Sequence, residues 1–113
     1  MKQLLDTHTF LWFVAGKQEL SERAKSQIPA PKAQNFVSIA SLWKISKKVK
    51  LGKLQIAGSL PSIINDLSEN CFELLAINFA HIVKNFELEY HHRDPFDRII
   101  IAQALVEDMS ISK

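Results

Sequence analysis

Three acids, Asp6, Asp94 and Asp97, each stand at the border of an apolar segment. A carboxylate cluster gathered at strand ends or helix starts is what Mg²⁺ or Mn²⁺ requires. These hard ions take oxygen ligands, keep several waters and bridge to phosphate groups. Each acid also has a plainer reading. Asp94, directly before Pro95, suits a helix N-cap whose carboxylate accepts from the free N–H groups of the first turn. Asp97 suits that first turn, where the helix dipole favours negative charge; it also shares a helical stripe with Ile101 and Ala104, which would turn it inward. Asp6 ends the run KQLLD, and an acid closing a buried strand is costly to desolvate without a partner.

The stretch ASLWKISKKVKLGKL, from Ala40 to Leu54, carries five lysines and no acid. Leu42, Ile45 and Val49 recur at helical spacing, so most of it is predicted to be one amphipathic helix. Lys47, Lys48, Lys50 and Lys53 then form a basic run that either contacts phosphates or faces water. Periodicity alone puts Lys44 off the Leu42–Ile45–Val49 face, as a solvated lysine. The charge is uneven along the chain: eight Lys or Arg and no acid from Arg23 to Asn65, then seven acids against two basic residues from Asp66 to Asp97. Such asymmetry fits either a polyanion-binding face or an ordinary solvated helix.

Other chemistries find little support. There are four histidines, of which His91 and His92 are adjacent, and a single cysteine, so no zinc pattern forms. The two adjacent histidines read as a loop leading into Asp94. Three glycines do not make a phosphate-binding loop. Cys71 lacks a catalytic setting and is expected to be buried beside a strand. Trp12, Phe13 and Trp43 read as core or partner-facing aromatics.

These residues need a frame. At 113 residues, with 47% hydrophobic and 23% charged residues, the chain has the composition of one globular domain spanning residues 1–113. One cysteine excludes an intrachain disulfide and suits a reducing compartment, so a cytoplasmic protein is expected. The apolar N-terminus is interrupted by Asp6 and His8, is too short to span a bilayer and lacks a cleavage pattern. KQLLDTH reads as a strand ending at Asp6, TFLWFVAG as a helix closed by Gly16, and SERAKSQI as a helix capped by Ser21. NFVSI is a second strand, followed at once by the lysine-rich helix, which stops near Gly52. SLPSIINDLSEN is a helix capped by Ser59, FELLAI a third strand and FAHIVKNF a further helix. The last long helix starts at Asp94–Pro95 and is apolar almost all round from Ile99 to Val106, so burial on more than one side is expected. MSIS begins a fourth strand. Strands alternating with helices imply right-handed crossovers and a parallel sheet covered on both faces. Ligands then bind beyond the carboxyl ends of the strands, where Asp6 stands.

LLDTHTFLWF, VSIASLWKISKKVKLGKLQI and HHRDPFDRIIIAQALVED, in this order and at these intervals, resemble the PIN-domain family, and most closely its VapC-like toxins of bacterial toxin–antitoxin pairs. The resemblance covers essentially the whole chain. It implies an α/β/α sandwich around a central parallel sheet and Mg²⁺- or Mn²⁺-dependent endoribonuclease activity. It also implies RNA as substrate, a small antitoxin as partner, and a homodimer. Asp6 matches the family's first metal-binding acid, Thr7 the polar neighbour that supports it, and Asp97 the acid in Asp-Pro-Phe-Asp-Arg. An ion held there would deprotonate a water for in-line attack on a phosphodiester.

Two departures stand out. Lys44 occupies the place of the family's Glu in Ser-Leu-Trp-Glu-Ile. The sequence also stops at Lys113, short of the family's fourth acid and final strand and helix, so a C-terminally truncated domain is expected. At most two of four carboxylates remain. A like charge about 4 Å from a divalent ion, at an effective dielectric near 20, costs roughly 4 kcal/mol per unit charge. Lys44 is therefore expected to take the ion's place by pairing with Asp6 and Asp97, leaving no bound metal. Two functions stay open: a VapC-like endoribonuclease with a degraded acidic site, or a catalytically inactive PIN-domain protein retaining antitoxin or RNA binding. An unrelated α/β regulatory domain is a third reading.

Overall fold

Alternate residues of the first strand point into two different cores, and this arranges the molecule in layers. In the computed structural model, which describes residues 1–89 and 94–113, β1 spans Lys2–Leu5. Leu5 packs in a cluster with Phe10, Ile28, Val37, Ile45 and Phe72. Leu4 packs in the other, with Ala40, Ile100 and Ala104. A strand buried on both faces is the signature of a parallel sheet covered by helices on each side.

The chain continues as α1 (Thr7–Ala15), α2 (Glu22–Gln27), β2 (Gln34–Ser38) and α3 (Ile39–Lys50). A 3₁₀ turn over Leu60–Ser62 runs into α4 (Ile63–Glu69), followed by β3 (Glu73–Leu75), α5 (Phe79–Glu87), α6 (Pro95–Glu107) and β4 (Ser110–Ser112). The sheet order is β3-β2-β1-β4. Every pairing is parallel, with Leu5 opposite Val37 on one side and Ser112 on the other. The predicted α/β/α sandwich with a central parallel sheet is therefore present. Among the described residues, no helix is long and apolar enough to cross a membrane.

Several local expectations need correction. α1 begins at Thr7, immediately after β1, rather than at Thr9. Its far end is as expected: Gly16 takes the left-handed conformation (φ 64°) and donates its N–H to the helix's last carbonyls. α6 matches its expectation up to its last turn. As expected, it is covered on more than one side, by α5, α3 and β4, with Ile100, Ala102, Gln103 and Ala104 buried; from Ile99 to Val106, exposure is confined to the C-terminal end, where Leu105 is 56% exposed. Cys71 is exposed, not buried, and adopts a positive φ of 56° in the turn between α4 and β3. His91 and His92 lie outside the described residues.

A buried polar chain ties the α3–α5–α6 layer together. Ser38 ends β2 and caps α3, accepting the Ala40 N–H at 3.0 Å. Its hydroxyl donates to Gln103 Oε1 on α6 at 2.5 Å, and the Gln103 amide donates to the Ala76 carbonyl at 3.3 Å. Both side chains are fully buried, so each lost partner leaves a polar atom without water. Ser38→Ala removes a cap, worth about 1 kcal/mol, and orphans a buried amide oxygen, worth about 1–3 kcal/mol. Urea unfolding of this variant is expected to show a loss of roughly 2–3 kcal/mol with an unchanged slope.

Candidate active site: an acidic cleft holding a lysine

The cleft lies at the carboxyl edge of the sheet, where β1 and β2 pass directly into α1 and α3. Asp6 is the residue between β1 and α1. Its backbone is extended (φ −63°, ψ 153°) as in an N-cap, yet its side chain makes no capping hydrogen bond. The carboxylate is thus left for the cleft rather than spent on the helix end. Thr7 follows, buried, and donates its hydroxyl to Ser41 Oγ on α3 at 3.0 Å. This contact fixes the start of α1 against α3.

Asp6 and Asp97 line the same cavity, about 170 Å³ in volume, together with Ile100, Ile101, Ile111 and Lys113. The two acids, distant in sequence, thus face one space beyond the ends of β1 and β4.

Lys44 differs from both expectations made for it. It is not solvated: only 7% of the residue is exposed, although the helical pattern put it off the apolar face. Nor does it join Asp6 to Asp97. Its ammonium lies 2.7 Å from Asp94 Oδ2 and 3.2 Å from Asp97 Oδ1. Among the described residues, no ion pair joins Lys44 to Asp6. Asp94 consequently does more than cap. One carboxylate oxygen accepts the N–H groups of Phe96 and Asp97 at 2.9 and 3.3 Å, while the other binds Lys44. The signal for this was present in the sequence: Asp94 and Asp97 lie three residues apart, so a capping Asp and a first-turn Asp can face the same neighbour.

The electrostatics follow from this geometry. Burial alone would pull the Lys44 ammonium down, but its hydrogen bonds to Asp94 and Asp97 and their charges outweigh that. The ammonium is held above its ordinary 10.5. For Asp94, burial would raise the carboxyl, but the hydrogen bond from Lys44 and the N–H groups of Asp97 and Phe96 dominate. It is held below its ordinary 3.8. Outside the cleft, Trp43 is 64% exposed and packs edge-on against Phe96 with ring centroids 5.1 Å apart. Lys47 lies over the same Phe96 ring at 5.9 Å. Lys47, Lys50 and Lys53 are exposed and Lys48 is half-buried; the basic run is on the surface.

The sequence profile of the PIN domain matches residues 4–111. The chain belongs to the PIN domain family. Comparison with curated proteins finds no significant match. Among solved structures, this PIN domain is similar to a toxin–antitoxin complex from Klebsiella pneumoniae. The identity is 18%, covering 96% of this chain and 82% of that one, with a TM-score of 0.64. It is likewise similar to VapBC2 from Rickettsia felis bound to a DNA fragment from its promoter. There the identity is 12%, covering 98% of this chain and 86% of that one, with a TM-score of 0.68. At these identities the likeness is one of fold.

PIN domains generally use Mg²⁺ or Mn²⁺, and the residues present here do not fit such an ion. Among the described residues, no three His, Cys, Asp or Glu side chains converge in a way that could hold one. One oxygen of Asp97 is already engaged by an ammonium. A divalent cation would have to sit beside that ammonium with two carboxylates to offset the repulsion.

The ion pair has a pH signature. Asp94 has a lowered value, so its contribution is complete above the ordinary 3.8 and lost as pH falls through the lower folded value. Lys44 has a raised value, so its contribution is complete below the ordinary 10.5 and lost as pH rises through the higher folded value. Lys44→Met is expected to cost more than the ~1 kcal/mol of an exposed pair and less than the ~3–5 kcal/mol of a fully buried one. Chemical denaturation at several pH values should show this deficit constant between about pH 5 and 9 and shrinking below about pH 4.

Proposed function

We propose that this chain is a VapC-like PIN protein that binds RNA and a small antitoxin partner but has little or no metal-assisted ribonuclease activity. The fold it shares with two toxin–antitoxin structures supports the partner class. The observation that carries the loss of activity is the Lys44 ammonium against Asp94 and Asp97. A tethered cation supplies the positive charge that keeps these acids together, but it cannot polarise a water or bridge to a phosphate oxygen as a metal does. In this reading Asp6 and Asp97 are relics of a catalytic metal site, Thr7 still orients the strand-to-helix turn, and the lysine run carries the residual affinity for RNA. A protein of this kind would work in the cytoplasm.

A second reading, a slow Mg²⁺- or Mn²⁺-dependent endoribonuclease, draws on one fact: Asp6 and Asp97 still line one cavity. Thermal melts with and without Mn²⁺ separate the two. The unaltered protein is expected to show no Mn²⁺-dependent rise in melting temperature and no cleavage of single-stranded RNA. Lys44→Glu should melt lower in metal-free buffer, since it sets three carboxylates against one another, and should be stabilised by Mn²⁺ through linkage of binding to folding. Equal stabilisation of both proteins would return the lead to the ribonuclease reading.

Contacts between phosphates and the surface lysines predict a steep salt dependence. Each of Lys47, Lys48, Lys50 and Lys53 that meets a phosphate contributes about 0.7 to the slope of log K against log salt for a single strand. Replacing Lys47 and Lys50 together by Gln should flatten the slope by roughly 1.4. Binding indifferent to salt would mean that the run is only a solvated helix face.

A further inference from the structure

Between α3 and α4 the surface opens into an apolar hollow of about 350 Å³. Ile39, Leu42 and Trp43 of α3 line one side, and Leu60, Pro61 and Ile64 the other. The hollow shares no residue with the cavity lined by Asp6 and Asp97. Trp43, 64% exposed, belongs both to this lining and to the ring pair with Phe96, so its indole is braced against α6. Farther along the same stripe of α3 come Lys47 and Lys50, at i+4 and i+7 and both exposed. At 1.5 Å per residue they stand about 6 and about 10 Å along the helix from Trp43. Lys47 also lies 5.9 Å over the Phe96 ring, beside the aromatic pair. No acid occurs from Arg23 to Asn65, a span that contains every residue of the hollow. This surface therefore joins an aromatic face in an apolar hollow to a row of cations.

We propose that it is a subsite for one unpaired base of a single-stranded RNA. The base stacks on Trp43 over the hollow, and the phosphates beside it lie on Lys47 and Lys50. This inference rests on the RNA-binding reading above and adds what the lysine run cannot supply, a preference for bases free to leave a stack. A nucleotide is an aromatic plate tied to an anion, and the two halves of this surface complement those two parts. A protein segment fits less well. Among the lining side chains only the Trp43 indole N–H can hydrogen-bond. A peptide backbone entering the hollow would leave its N–H and C=O groups without partners. A base meets Trp43 with its π face and keeps its polar edge in water. In a duplex that face is covered by neighbouring bases, so double-stranded RNA meets only the lysines.

Intrinsic fluorescence tests the proposal, because the chain has two tryptophans and Trp12 is half-buried against the core. In a Trp12→Phe background, octauridylate should quench Trp43 emission, whereas an abasic chain of equal length should bind without quenching. The unaltered protein should show the same loss over a constant Trp12 background, which covers a failure of Trp12→Phe to fold. Trp43→Ala is expected to weaken octauridylate binding by roughly 5- to 100-fold. It should leave the salt slope and the affinities for the abasic chain and for a short RNA duplex unchanged. Trp43→Phe, which keeps a stacking face, should recover part of the loss. Binding without quenching overturns the proposal, as does octauridylate affinity indifferent to Trp43→Ala; either leaves the lysine run as the RNA contact. Equal loss toward the abasic chain also overturns it, by making Trp43 a structural support. Quenching by a leucine-rich acidic peptide but not by octauridylate overturns it in favour of a protein occupant. An unaltered protein that binds neither octauridylate nor the abasic chain overturns the RNA reading itself, and this inference with it.

Discussion

A cation taken out of water must be met by anions within hydrogen-bond reach, and Lys44 meets this demand across 53 positions of sequence. Its partners are both on the first turn of α6, where free N–H groups and the helix dipole already favour carboxylates. One electrostatic requirement thereby fixes the approach of α3 to α6. The Ser38–Gln103 hydrogen bond repeats the same join at the start of α3, so the two helices are tied at two points. The cavity lined by Asp6 and Asp97 depends on that placement, because Asp97 is held by the lysine on one side and faces the cavity on the other.

In the proposed reading, where Lys44 stands at the family's Glu position, the change is more than the loss of one ligand. It reverses the charge at one corner of the cleft and so alters the work done by every acid around it. Carboxylates that would repel one another without an ion are here held by a counter-charge covalently attached to the fold. Asp6 is the acid outside this arrangement: neither its helix nor Lys44 uses its carboxylate among the described contacts.

Much of the architecture could be read from the chain because several local rules agreed. Asp94–Pro95 marks the start of α6, Gly16 stops α1, and Ser21 caps α2 by accepting the Ala24 N–H. The double burial of β1 follows from its uninterrupted apolar pair Leu4–Leu5. The failures share a cause, since helical periodicity describes one face of one helix and not what lies against its other faces. Periodicity puts Lys44 in water because it describes α3 alone, whereas α6 covers that side of it. The nearby strand suggests a buried Cys71, but the residue belongs to the exposed turn that precedes the strand. For α5 the pattern of apolar residues is plain, but not its direction. The buried His81 reverses the usual assignment of inside and outside.

The pairing of β1 with both β2 and β4 has a consequence for how the protein is made. Gln3 pairs with Ser110 and Leu5 with Ser112, so the central strand acquires β2 early in synthesis and β4 only once residues 110–112 exist. Contacts of such long sequence separation pay their loop-closure entropy late and fold slowly. Until β4 docks, one edge of β1 is open, and Ile111, which lines the cavity with Asp6 and Asp97, is not in place. A chain that has not yet reached Ser110 therefore lacks the assembled cleft.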